Sequence, residues 1–140
     1  GLIDQMAFGS YTSRFSDVKS PFDWLTRDRD IVATYEDDPL CTFTFTVSAF
    51  HDLFELLTQV NRREWAENVP KELPILLVAG DMDPVGDYGK GVVKVYERLK
   101  VAGIRDLQCK LYPGDRHEIL NELNQKEVYG DLLAFLEGHL

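Results

Sequence analysis

The sequence is poor in cysteine and has no surplus of positive charge. Its two cysteines among 140 residues, Cys41 and Cys109, stand far apart and without metal-ligand spacing. That excludes a disulfide framework and suits a reducing, cytoplasmic setting. Lys and Arg number 15 against 24 Asp and Glu, a net charge of −9. Proteins that hold a phosphate backbone neutralise it with Lys and Arg, so no nucleic-acid partner is expected. No apolar run approaches the ~20 residues that span a bilayer, so no transmembrane segment is expected. The amino terminus shows no basic segment ahead of an apolar core, and no secretory leader is expected. It also lacks an initiator Met. Gly1-Leu2-Ile3 begins abruptly, which leaves open an added start or a start inside a larger protein.

What is present is the composition of a globular domain. Hydrophobic residues make up 44% and charged residues 28%, which excludes disorder and fibrous architecture. The length fits one domain with a core of ordinary size. No internal repeat or low-complexity tract interrupts it.

The chain divides near residue 70. Residues 1–45 are irregular and aromatic-rich, with Phe8, Tyr11, Phe15, Phe22, Trp24, Tyr35, Phe43 and Phe45. Ser20-Pro21-Phe22-Asp23 reads as a helix start, with Ser as N-cap and Pro at the first position. A second short helix is expected through Asp28–Tyr35, stopped by Glu36-Asp37-Asp38-Pro39. Residues 41–46, CTFTFT, alternate like a strand but lead straight into a helix. Residues 47–60 read as an amphipathic helix, because Phe50, Leu53, Phe54, Leu57 and Val60 recur on one face. Asn61 with Glu64 resembles a second capping box, opening a short helix that carries Trp65.

From Leu73 the pattern becomes regular. Residues 75–79 are a continuous apolar run, the mark of a strand covered on both faces. Gly80, Asp81, Asp83 and Pro84 turn the chain. A helix follows over Tyr88–Ala102, then a strand over Leu107–Tyr112. The turn Pro113-Gly114-Asp115-Arg116 precedes His117. Asn124 with Glu127 opens a last helix with Val128, Leu132, Leu133, Leu136 and Leu140 on its apolar face. Strand–helix–strand–helix is the arithmetic of a parallel βαβ unit, an α/β class.

Two neighbouring parallel strands end on the same edge, and open α/β sheets place their chemistry there. Asp83 and His117 both follow strand ends. A carboxylate beside an imidazole orients the ring and stabilises its protonated form, leaving the other nitrogen as a base. Asp81 competes for the acid role, or else caps the loop. Asp115 and Glu118 read as solvated or turn-stabilising, and His51 and His139 as unremarkable surface residues. His117-Glu118 does not extend to H-E-x-x-H, since position 121 is Asn, so a zinc-protease helix is rejected and no metal is expected. GDYGKG at 86–91 precedes a helix and could attract an anion, but lacks the P-loop pattern. No cofactor is expected.

The text LPILLVAGDMDPVGDYGKGV, then CKLYPGDRHEILNE, then YGDLLAFLEGHL resembles the C-terminal part of an α/β-hydrolase. It is most similar to the monoacylglycerol lipase and lysophospholipase-like serine hydrolases. FDWLTRD and DDPLCTFTFT resemble that family's helical cap. The resemblance implies a cap and linking helices over 1–70 and the C-terminal part of the core over 71–140. In the family the acid is fourth in a G-x-x-D turn and the histidine lies in a G-x-x-H context. Here these select Asp83, in Gly80-Asp81-Met82-Asp83, and His117, in Gly114-Asp115-Arg116-His117. The chain order acid, then His, agrees. The family's lid over an apolar pocket makes Phe43, Phe45, Phe50 and Val85 the candidate substrate contacts.

One departure stands out. No G-x-S-x-G occurs: Ser10, Ser13, Ser16, Ser20 and Ser48 all lack the strand–turn–helix setting of a nucleophile elbow. Two strands also fall far short of the family's sheet. The resemblance therefore implies a serine-type carboxylic-ester hydrolase whose serine lies in a missing N-terminal half, with this chain alone inactive. The expected partners are that half and a small ester with an apolar acyl group. A peptidase, thioesterase or C–C hydrolase would use the same triad. The alternative is a non-catalytic fragment or split subunit acting as a binding module. Cys41 and Cys109, in a lid and a strand, are poorly placed to replace the serine.

Overall fold

A computed structural model describes residues 2–140. The order is α1 (Leu2–Phe8), α2 (Arg29–Asp37), α3 (Val47–Val60), a 3₁₀ helix (Arg63–Asn68), β1 (Ile75–Gly80), α4 (Lys90–Val101), β2 (Leu107–Tyr112), a 3₁₀ turn (Ile119–Asn121) and α5 (Gln125–Glu137). The two strands pair in parallel, Ile75 opposite Leu107 and Gly80 opposite Tyr112. The register puts both C-terminal ends on one edge.

Period-two alternation divides β1 between two small cores. Ile75 and Leu77 pack with Leu107 against the buried cluster Ala66, Leu99 and Ile104, which joins α4 and the first 3₁₀ helix to one face. Val78 packs with Leu132 against Tyr112, Ile119 and Val128 on the other. A strand covered on both faces was expected, yet Ile75 to Ala79 are only half-buried. Among the described residues each face receives little helix and neither outer strand edge has a neighbour. The same shortfall shows on α5. Val128 is buried and Leu132 half-buried, while Leu133, Leu136 and Leu140 of the expected apolar face are exposed. On α3 only Phe50 is fully buried, and Phe54, Leu57 and Val60 face outward.

Local chemistry corrects two expectations, the helix at Ser20-Pro21 and the Asn61 cap, while the alternating 41–46 run stays without a strand as its lead into a helix suggested. No helix forms at Ser20-Pro21; the segment is a series of turns. Asp23 folds back to accept from the Lys19 and Ser20 amides, and these bonds compete with helix. Asn61 does not open the next helix: its side-chain amide donates to the Leu57 carbonyl and closes α3 instead. By contrast α2 starts where Asp28 caps the amides of Asp30 and Ile31, and α3 where Thr46 caps Ala49. No helix among the described residues is long and apolar enough to cross a membrane.

Candidate active site

The acid–histidine pair is built by joining two loops at the strand ends. Gly80 is the last residue of β1, and any side chain there would collide with the carbonyl oxygens of Asp115 and Arg116. Only glycine allows so close an approach. Met82 then donates its amide to the Asp115 carbonyl at 2.9 Å, and Asp81 accepts the Gly114 amide at 2.7 Å. Asp81 thus ties the acid loop to the histidine loop. Asp83, two residues on, is 7% exposed. Its Oδ2 lies 3.1 Å from His117 Nδ1 and its Oδ1 accepts the Val85 amide at 2.8 Å.

His117 is exposed, with 38% of its side chain open to solvent. The bond to Asp83 pushes its pKa above the ordinary 6.5, against the opposing effect of burial, with the charges of Asp83 and Glu118 adding to the rise. With Nδ1 turned to the carboxylate, Nε2 makes no hydrogen bond to any described residue. An imidazole so held can accept a proton at Nε2 and share the resulting charge with Asp83.

The histidine loop is anchored from the first half of the chain. The His117 and Glu118 amides donate to the carbonyls of Trp24 and Leu25 at 3.3 and 2.7 Å. Glu122, fully buried, accepts from the Arg116, Leu123 and Arg27 amides and from Arg27 Nε. Arg27 also bonds Asp115, which is fully buried rather than solvated. Burial and the neighbouring Glu122 raise the Asp115 carboxyl even though Asn124 and Arg27 oppose that rise. Arg116 reaches back to the carbonyls of Asp23 and Thr26. These partners lie some 90 residues apart in sequence, and no periodicity signals them. The one advance sign was local, the FDWLTRD text that carries them.

An aromatic cavity of about 490 Å³, lined in part by Phe22, Trp24, Tyr35, Phe43 and Phe45, meets the pair through Trp24, whose ring packs on His117. Phe43 and Phe45 are exposed at its rim. Phe50 sits behind Phe45, ring centroids 5.5 Å apart, and supports the wall. Val85 is exposed and meets the site through its amide on Asp83. The structure therefore brings Asp83 and His117 together, sets Phe43 and Phe45 at the cavity, and places Phe50 and Val85 off its lining.

The other nucleophile and ligand candidates are poorly equipped. Burial raises the thiol pKa of both Cys41 and Cys109, with Asp38 adding to the effect at Cys41, so neither favours thiolate. At 86–91 the amides of Tyr88, Lys90 and Gly91 bond the carbonyls of Asp83, Asp87 and Gly86, leaving them unavailable to an anion. His51, Asp52 and Glu55 bring ligand atoms within 4.8 Å of one another on α3, all fully exposed to solvent.

Comparison with known proteins adds an independent line. The family description "Serine aminopeptidase, S33" matches residues 6–124. A highly thermostable carboxyl esterase from Bacillus coagulans, solved in complex with glycerol, is 36% identical with a TM-score of 0.88, over 98% of this chain and 45% of that one. A lipase solved in an open form is 32% identical with a TM-score of 0.83, over 97% of this chain and 44% of that one. The monoacylglycerol lipase of Mycolicibacterium smegmatis is 30% identical over 121 residues, 84% of this chain and 40% of that lipase. The chain thus spans less than half the length of each of these relatives.

Proposed function

Because this chain belongs to the serine aminopeptidase S33 family of α/β-hydrolases, we propose that it supplies the acid and the histidine of a Ser-His-Asp triad for carboxylic-ester hydrolysis. Asp83 is the acid and His117 the base. The serine lies on an N-terminal half outside residues 1–140, and an ester with an apolar acyl group is the substrate. The observation that carries this reading is the 3.1 Å bond between Asp83 Oδ2 and His117 Nδ1, with Nε2 making no hydrogen bond among the described residues. Support comes from the esterase and lipase relatives and from the aromatic cavity that Trp24 joins to His117.

In this reading the serine hydroxyl attacks the ester carbonyl carbon while Nε2 of His117 takes its proton. The tetrahedral intermediate collapses, and His117 returns the proton to the departing alcohol oxygen. A water then attacks the acyl-serine, again giving its proton to His117, and the acid leaves as the serine regains its hydrogen. Asp83 keeps Nδ1–H directed at itself and stabilises the imidazolium. Donors to the oxyanion belong to the N-terminal half. In this reading residues 1–70 form the cap and linking helices and 71–140 the C-terminal part of the core. The chain alone is inactive, since an acid–histidine pair without nucleophile or oxyanion donors gives little rate.

Fluorophosphonate labelling with intact mass, on this chain joined to its N-terminal half, tests the reading. Label on the other half that disappears with His117→Ala is the expected result. A natural upstream sequence without a G-x-S-x-G turn, or an assembly that takes no label, overturns it. That outcome favours the other reading, a binding module using the exposed apolar faces of α3 and α5.

A further inference from the structure

Trp24 touches both halves of the site. Its ring centroid lies 5.2 Å from that of His117, with the planes at 48°. Its carbonyl accepts the His117 amide at 3.3 Å. Its indole is also a wall of the aromatic cavity, and Tyr11 abuts it edge-on at 5.1 Å. The backbone on either side of Trp24 is fixed. Asp23 is held by Arg29 and by the Lys19 and Ser20 amides, and its carbonyl by Arg116. Thr26 bonds the Asn121 carbonyl, and Arg27 bonds Glu122. With the main chain clamped, the freedom left at this position is that of the indole.

A single bond from Asp83 fixes the direction of His117 Nδ1 but lets the imidazole rock about that bond. Catalysis by proximity tolerates little such rocking, since misplacement by about 1 Å can cost ~10²-fold in rate. The indole face supplies the second constraint. We infer that Trp24 is a positioning and specificity-determining residue: it sets the plane of the His117 imidazole and transmits to it the filling of the aromatic cavity by an apolar acyl chain. This rests on the hydrolase reading above. An acyl chain long enough to enter the cavity presses the indole toward the imidazole, and a short one does not. Chain-length preference should therefore appear in kcat as well as in KM.

Two measurements test this, and they fail separately from the hydrolase reading. The first needs no serine. In the chain carrying ¹³C-labelled histidine, NMR relaxation of the His117 ring C–H groups should show a rigid ring in the wild type. Trp24→Leu, which keeps apolar bulk without a π face, should raise the ring's mobility while the Nδ1–H tautomer held by Asp83 persists, and Trp24→Phe should restore the rigid ring. Unchanged His117 ring relaxation in a folded Trp24→Leu chain overturns the inference. The second uses the chain joined to its N-terminal half, with p-nitrophenyl acetate and octanoate and active sites counted by titration. Trp24→Leu should lower kcat per site on the acetate about 10²-fold and flatten the octanoate advantage in kcat, with recovery in Trp24→Phe. If only KM and chain preference change, Trp24 is a wall alone. If only the count of active sites falls, its role is structural. Either result overturns the inference. If the joined wild type hydrolyses neither ester, the hydrolase reading fails and the ring-motion comparison decides Trp24.

Discussion

At the loop edge of the sheet, Glu122, Asp115, Asp81 and Asp83 each accept hydrogen bonds from groups within the chain. On the flanks of the same sheet, Leu133 and Leu136 of α5 stand 56% and 60% exposed. The edge pairs most of its polar groups within the chain, whereas the flank leaves apolar surface in water. Buried polar atoms without partners cost on the order of 1–3 kcal/mol each, so a chain that holds its loops in this way must close the network internally. Two carboxylate oxygens, on Asp23 and Asp115, are the buried side-chain exceptions among the described residues. Bare leucines are tolerated individually and lose their stabilisation only by staying uncovered. The contrast teaches that these residues can organise the site's geometry even where the sheet's hydrophobic faces are unfinished.

The largest test of the edge is the pair itself. In the chain joined to its N-terminal half, Asp83→Asn should lower kcat/KM for a p-nitrophenyl ester by about 10⁴-fold, and His117→Ala at least as much, read by steady-state kinetics. The pH dependence has a definite sign. His117 is raised above 6.5 by the Asp83 bond, and the base works unprotonated, so the acid limb of kcat/KM should lie above 6.5. In this chain the His117 NMR titration should likewise fall at a higher pH than an ordinary imidazole, and Asp83→Asn should move it down. The same raised value makes the protonated pair stabilising. That contribution is full below the unfolded value and is lost as pH rises through the folded one.

Glu122→Ala tests the anchoring beneath the pair. It removes a fully buried carboxylate with four donors and leaves Arg27 short of a partner. Breaking a buried ion pair costs about 3–5 kcal/mol. Arg27 is a third exposed and can rehydrate, so about 3 kcal/mol is expected, measured by urea unfolding of this chain. A loss under 1 kcal/mol would mean the loops hold without this network.

How much of this was legible follows the range of each interaction. The strand Leu107–Tyr112 and the helix Val47–Val60 were read to the residue, because their periodicity is local. That Asp83 and His117 lie side by side was legible because each follows a strand end in a recognisable turn. Ser20-Pro21 misled because Asp23, the residue that suggests a first helical turn, bonds backward to amides instead. Glu122 and Arg27 gave no sign, since 95 residues separate them. Trp24 was read as one aromatic among many, because ring packing on His117 has no sequence period.

At the cavity the expected effect is smaller. Phe45 is 36% exposed at the rim, packed on Phe43 and Phe50. Truncating it removes part of one wall, so Phe45→Ala should reduce the kcat/KM advantage of octanoate over acetate about tenfold, roughly 1.4 kcal/mol, with acetate hydrolysis little changed. An unaltered ratio would place the acyl chain elsewhere.

The smallest effect in this chain sharpens the contrast most. Leu133 and Leu136 already face water, and alanine is at least as good a helix former, so the double change to Ala should alter urea unfolding of this chain by under about 0.5 kcal/mol. If an N-terminal half covers the flank, as proposed, the same double substitution in the joined protein removes two buried leucines. Each such loss costs about 2–5 kcal/mol, depending on how far the site collapses. The comparison is therefore a difference of differences between two unfolding curves. A small effect in both proteins leaves α5 solvent-facing in the assembly and confines the covering half to other surfaces. A small effect here and a large one there identifies this flank as the place where the sheet is completed.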